Sequence, residues 1–320
     1  MKIYPNLFYA KIMLFGEYSV IFNSMALTIP YTHFNGELLF IRKDNYTNQE
    51  FAIKSNEDLK EYYTYINNLI KSKNILFDFD INKFKKDISK GLYFESTIPQ
   101  GYGLGSSGAL VAALYNKYSN NKIIGRNNLS LKQILKLKDI FSQLESFFHG
   151  TSSGLDPLNA YLKYSVLIKN KKDIEIVKLP VPNLNGLGAI FLVDTEIRGN
   201  TQPLVNLFLD RYKIDKFKKA VNNELIVYNN ACVNSIVEGN VDKLFANLTK
   251  LSTFQLEKMN QMIPYKFHKL WEIGLNNNNF TLKLCGSGGG GFILGFTKNY
   301  KNVKSLFKEL DINIIPVLIS

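Results

Sequence analysis

Three glycines at alternate positions, Gly101, Gly103 and Gly105, with Leu104 between the last two, run into Ser106, Ser107 and then Gly108. A strand-like run over 92–98 leads in, and a small-residue helical run over 109–115 leads out. Glycines without a Cβ let backbone N–H groups approach an anion, and a helix starting there adds partial positive charge. The stretch therefore reads as a phosphate cradle. Its serine hydroxyls suit either a helix cap or a metal ion seated on the phosphate. Gly103-x-Gly105-x-x-Gly108 also fits a dinucleotide fingerprint, which requires an acidic residue about twenty positions further on. No Asp or Glu lies between Glu95 and Asp139, which disfavours a nicotinamide oxidoreductase. A Walker loop is excluded, because no glycine precedes Lys and Ser/Thr in the needed order.

Four further features bear on the same chemistry. Lys11 interrupts the apolar run that starts at Leu7. It either snorkels from an edge strand or is buried against an anion. Glu145 falls on the apolar stripe of the helical pattern over 131–148, one turn after Phe141. A carboxylate there either reaches solvent at the boundary or is neutralised. Asp156 follows His149-Gly150-Thr151-Ser152-Ser153-Gly154 and precedes Pro157. Asp before Pro is also a plain helix start, and His149 also suits a bond to the loop. The last feature is the glycine run over 286–291, which joins two apolar strand-like stretches and so is not a flexible linker.

Together these residues fit phosphoryl transfer, which demands positioning and charge neutralisation above all. Mg²⁺ takes one or two protein oxygens with substrate phosphates, and Ser107 with Glu145 would serve. Asp156 is the candidate acceptor of a substrate hydroxyl proton, with Lys11 lowering the cost of the alkoxide.

Composition narrows the alternatives. At 320 residues the chain has room for about two domains with real cores. The net charge of +12 comes almost wholly from scattered Lys, with Arg only at 42, 126, 198 and 211. Arg is the residue of bidentate base and phosphate readers, so nucleic acid is not the expected partner. Two distant cysteines and three histidines offer neither a zinc site nor a disulfide framework, which points to a reducing cytoplasm. No signal peptide and no run of eighteen apolar residues is read, so no membrane span is expected.

The pattern predicts a strand up to a turn at Gly16, and a β-ribbon pairing 38–41 with 51–53 through Asp44-Asn45. It predicts helices over 58–71, 131–148, 205–211, 217–238 and 241–262, and strands over 91–98, 189–193, 280–285 and 312–319. The Pro/Gly/Asn-rich stretch 180–188 is the expected domain boundary.

Three stretches in order resemble the motifs of the GHMP kinases (galacto-, homoserine, mevalonate and phosphomevalonate kinases). They are Lys11-Ile-Met-Leu-Phe-Gly-Glu-Tyr-Ser-Val20, Pro99-Gln-Gly-Tyr-Gly-Leu-Gly-Ser-Ser-Gly108 and Lys283-Leu-Cys-Gly-Ser-Gly-Gly-Gly-Gly291. Within the family, Glu145 through His149-Gly150 and Ser152-Ser153-Gly154 to Asp156 is most similar to the mevalonate kinase branch, as is Arg198-Gly-Asn-Thr201.

The resemblance implies an α+β fold of two domains, a ribosomal-protein-S5-like half over 1–184 and a ferredoxin-like half over 185–320. It implies ATP on Gly101, Gly103, Leu104, Gly105, Ser106, Ser107 and Gly108, and Mg²⁺ on Ser107 and Glu145. It implies catalysis by Asp156 and Lys11, and a small alcohol, mevalonate, near Glu17, Tyr18, Ser153, Thr201 and Gly288. A homodimer is left open by it. Three departures bear on the acceptor: Phe8-Tyr9-Ala10 replaces Ala-Pro-Gly, Tyr18 replaces His, and Ser152 replaces Pro. Another GHMP kinase, acting on phosphomevalonate, homoserine or a sugar, is the nearest alternative. A catalytically silent binding protein of the same fold is the next.

Overall fold

The computed structural model describes residues 4, 6–42, 47–124, 128–180 and 188–319. The chain divides into two compact units and passes between them several times. One holds residues 1–11, 29–99 and 105–164; the other holds 12–28, 100–104 and 165–320. The expected boundary at 184/185 and the Asp44-Asn45 turn lie outside the described residues.

Strands β1 (Phe8–Phe15) and β2 (Ala26–Phe40) run through both units. In the first unit, β2 pairs antiparallel with β3 (Leu92–Ser96), Leu38 opposite Phe94. Helix α1 (Gln49–Lys71) packs on β3, followed by α2 (Ile81–Ser89), α3 (Ser106–Tyr118), α4 (Leu131–His149) and α5 (Leu155–Leu162). Their core is aromatic: Phe84 meets Tyr118 at 4.9 Å and Tyr115 meets Phe141 at 5.1 Å between ring centroids.

The expected strand at 51–53 is instead the start of α1. The Asn48 side chain accepts from the Phe51 N–H, capping the helix, and Ala52, Leu59, Tyr62 and Ile66 form its buried face. Helix α4 runs one residue past the pattern. It begins with a capping box, in which Ser130 and Gln133 satisfy each other's backbone groups.

In the second unit, β2 begins with Ala26–Thr28 paired to β4 (Ser165–Asn170), which pairs with β5 (Asp173–Val177). A separate antiparallel sheet has the order β7-β8-β6-β9. It consists of β6 (Ala189–Asp194), β7 (Thr281–Leu284), β8 (Phe292–Thr297) and β9 (Ile314–Ile319). The chain order is β6, helices, β7, β8, one helix, β9, a β-α-β-β-α-β succession of ferredoxin type.

The helices are α6 (Thr201–Tyr212), α7 (Asp215–Ala220), α8 (Ile226–Val237), α9 (Val241–Lys258), α10 (His268–Asn277) and α11 (Tyr300–Glu309). The helix expected over 217–238 is interrupted by a π segment, Val221–Leu225. The one expected to reach 262 ends at Lys258, and a short 3₁₀ turn follows. Among the described residues, no helix is long and apolar enough to cross a membrane.

Candidate active site

Three helix ends of the first unit build one cluster. Helix α3 starts at Gly105, which has φ +75° and serves as N-cap with no side-chain cap. The backbone N–H groups of the first turn are thus not capped by any side chain, which suits an anion. The serines do not cap this helix; Ser107 turns its hydroxyl elsewhere. Glycine is required at two points here. A Cβ on Gly105 would stand 3.1 Å from the Lys11 side chain and 3.3 Å from Asp156 Oδ2. On Gly108 it would stand 2.8 Å from the Asp156–Pro157 backbone, so the first turns of α3 and α5 press together.

Asp156 is the second residue of α5, after Gly154 as N-cap at φ +73°. It is therefore not the cap that Asp-Pro suggested. Its carboxylate lies in the first turn, where the helix dipole favours negative charge. Lys11 Nζ is 3.1 Å from Asp156 Oδ1, with the lysine side chain 7% and the aspartate 30% exposed. Lys11 is thus buried in β1 against an anionic partner and does not snorkel.

Glu145, in the last turn of α4, is 4% exposed. Ser107 Oγ donates to its Oε1 at 3.1 Å, and the Ser152 hydroxyl donates to its Oε2. Ser152 also accepts the Gly154 N–H at 3.0 Å, so it ties the end of α4 to the start of α5. His149 Nε2 lies 3.1 Å from Ser107 Oγ. Burial, and next the charge of Asp156, push the Glu145 carboxyl up to about 7, against the lowering pull of both serines and Lys11.

Between the ordinary carboxyl range near 4.5 and about 7, the folded chain holds a proton on Glu145 that the unfolded chain releases. Stability therefore falls as pH rises through that window. Thermal melts from pH 5 to 8 are expected to show this fall in the wild type and a flatter profile in Glu145→Gln.

Ser107 and Glu145 offer hard oxygen donors only, and together they match the few protein oxygens that Mg²⁺ takes beside phosphates. Among the described residues no group of three or more His, Cys, Asp or Glu forms a metal cage.

Of the residues expected at the site, Lys11, Gly105, Ser106, Ser107, Gly108, Glu145 and Asp156 fall in the first unit. Ser153 is in the same unit, exposed, and its hydroxyl accepts the Leu155 N–H at 3.4 Å. Gly101, Gly103, Leu104, Glu17, Tyr18, Thr201 and Gly288 belong to the second. There the Glu17 carboxylate accepts from Lys283 Nζ at 2.7 Å, both side chains buried, and Ser287 Oγ donates to Thr201 Oγ1 at 3.0 Å. The contacts of Ser152 and Lys283 were not anticipated, and His149 bonds Ser107 of α3, not its own loop. All three stood in recognised motifs, but Ser152 was read only as a replacement for Pro, with no role attached.

The family model "GHMP kinases N terminal domain" matches residues 67–163. The mevalonate kinase of Dictyostelium discoideum is 24% identical over 349 residues, covering 92% of this chain and 88% of its own. That of Pyrococcus furiosus is 24% identical over 321 residues, covering 91% and 88%. The crystal structure of L. major mevalonate kinase in complex with R-mevalonate superposes with a TM-score of 0.64 at 16% identity. That superposition covers 100% of this chain and 97% of that one. The resemblance drawn from the three motifs is borne out, as is the two-domain α+β fold. Both relatives carry the name of a kinase, in line with the expected class of reaction.

Proposed function

We propose that this chain, with a GHMP kinase fold and a GHMP kinase N-terminal segment, is an ATP- and Mg²⁺-dependent kinase of mevalonate that forms the 5-phosphate. One observation carries the reading: the Lys11–Asp156 pair stands beside the start of α3, with Ser107 and Glu145 joined next to it. Two near-full-length relatives bearing the mevalonate kinase name support the acceptor.

In this reading the first-turn amides of α3 and the glycines before it receive the nucleotide phosphates. Ser107 and Glu145 would hold Mg²⁺, which when bound neutralises charge on the transferred group. Asp156, anchored through Oδ1 by Lys11, accepts the proton of the attacking hydroxyl. Lys11 offsets negative charge that gathers there as the proton leaves. The Ser152 hydroxyl keeps Glu145 aligned with the neighbouring helix start. Glu17, Tyr18, Ser153, Thr201 and Gly288 are assigned to the acceptor side.

Coupled ADP-release assays over mevalonate, phosphomevalonate, homoserine and galactose test the assignment. Turnover with mevalonate well above the other three is expected. Activity confined to another alcohol would move the chain to a different GHMP kinase. Absence of both turnover and Mg²⁺-ATP binding would make it a silent binding protein.

A further inference from the structure

We propose that Tyr18 is a positioning residue for the acceptor side, its phenol fixing the glycine loop 286–291 and its ring fixing α6. The inference rests on the kinase reading above.

Four observations within the second unit converge on this residue. Its backbone has φ +61° and ψ −46°, which a bulky L-residue rarely adopts, and such conformations persist only where the surroundings enforce them. Its hydroxyl donates to the Ser287 carbonyl at 2.5 Å, inside the glycine loop. Burial and the adjacent Glu17 charge push the phenol well up, so it remains a donor across the working pH range. Its ring lies on Phe208, centroids 4.6 Å apart, and Phe208 is the one buried residue of α6.

Helix α6 is otherwise half-buried or exposed. It is secured at its far end by Tyr212 stacked on Phe22 at 3.8 Å and at its start by the Thr201–Ser287 hydroxyl pair. Ser287 thus receives the phenol on its carbonyl and gives its own hydroxyl to Thr201. One residue earlier than Tyr18, Glu17 grips Lys283, which leads into the same loop. Residues 17 and 18 form a two-point clamp. In this arrangement Glu17 and Tyr18 shape the place of the acceptor through Thr201 and the loop around Gly288.

The test compares wild type, Tyr18→Phe and Tyr18→Ala in steady-state kinetics and in backbone amide exchange. Phe keeps the ring on Phe208 and removes only the hydrogen bond. The expected result for Tyr18→Phe is an acceptor KM raised about tenfold, the loss of about one hydrogen bond. The ATP KM and the melting temperature stay near wild type, and exchange quickens over 286–289. In Tyr18→Ala the faster exchange extends to 201–212. Unchanged acceptor KM and exchange in Tyr18→Phe, or equal rises in both KM values, would overturn the proposal. Should the wild type turn over no alcohol at all, the kinase reading fails, and the exchange arm still decides the clamp: quickened exchange upholds it and unchanged exchange overturns it.

Discussion

Replacing Asp156 by Asn is expected to lower kcat by about 10²–10⁴-fold, the span that a positioned acid or base contributes. Asparagine has the same shape and keeps an oxygen for Lys11, whose Nζ lies 3.1 Å from Oδ1. It removes the capacity to take a proton while leaving the first turn of α5 packed on Gly108. The melting temperature should therefore stay close to that of the wild type while single-turnover rates collapse. Near-normal turnover in this variant would remove Asp156 from the role of base.

The second large effect is on both stability and rate. Lys11→Met retains the length and apolar stem of the side chain but leaves Asp156 without its cation beside a second carboxylate, Glu145. Removing one partner of a buried pair costs about 3–5 kcal/mol, and the lower end applies here because Asp156 is partly exposed. Since Lys11 is among the groups that pull Glu145 down, its loss moves that carboxyl further above about 7. Denaturant titration should show a loss of about 3 kcal/mol at pH 8 that narrows as the pH falls and the Glu145 carboxyl takes up its proton. Turnover should fall with it. A variant as stable as the wild type at pH 8 would mean that the pair does not bear on folding.

Much of this site could be read before any fold was known, and the reasons are local. Helix α4 was legible because Ile134, Leu137, Phe141, Leu144 and Phe148 recur at helical spacing, whereas the capping box of Ser130 and Gln133 that sets its start emerged only from the fold. That same regularity put Glu145 on the buried stripe, and burial is what drives its titration upward. Helix α1 was misread at its start for the opposite reason. Asn56 stands on its buried face, where its amide donates to the carbonyls of Ile88 and Leu92, so the apolar period breaks there. The short run Phe51-Ala52-Ile53 then resembles a strand. Asp156 looked like a cap because Asp-Pro commonly is one; Gly154 took that place through its positive φ, which no spacing announces. Ser152 and Ser287 act through contacts between segments far apart or folded back, and only the fold reveals them.

The central claim is that Ser107, Glu145, Asp156 and Lys11 surround the transferred phosphoryl group at the start of α3. The most direct measurement is a crystal structure with Mg²⁺, a non-hydrolysable ATP analogue and mevalonate. The expected result is a terminal phosphate over the amides of 105–108, a metal on Ser107 and Glu145, and the acceptor hydroxyl within reach of Asp156. Phosphates bound away from α3, or an acceptor hydroxyl remote from Asp156, would contradict it.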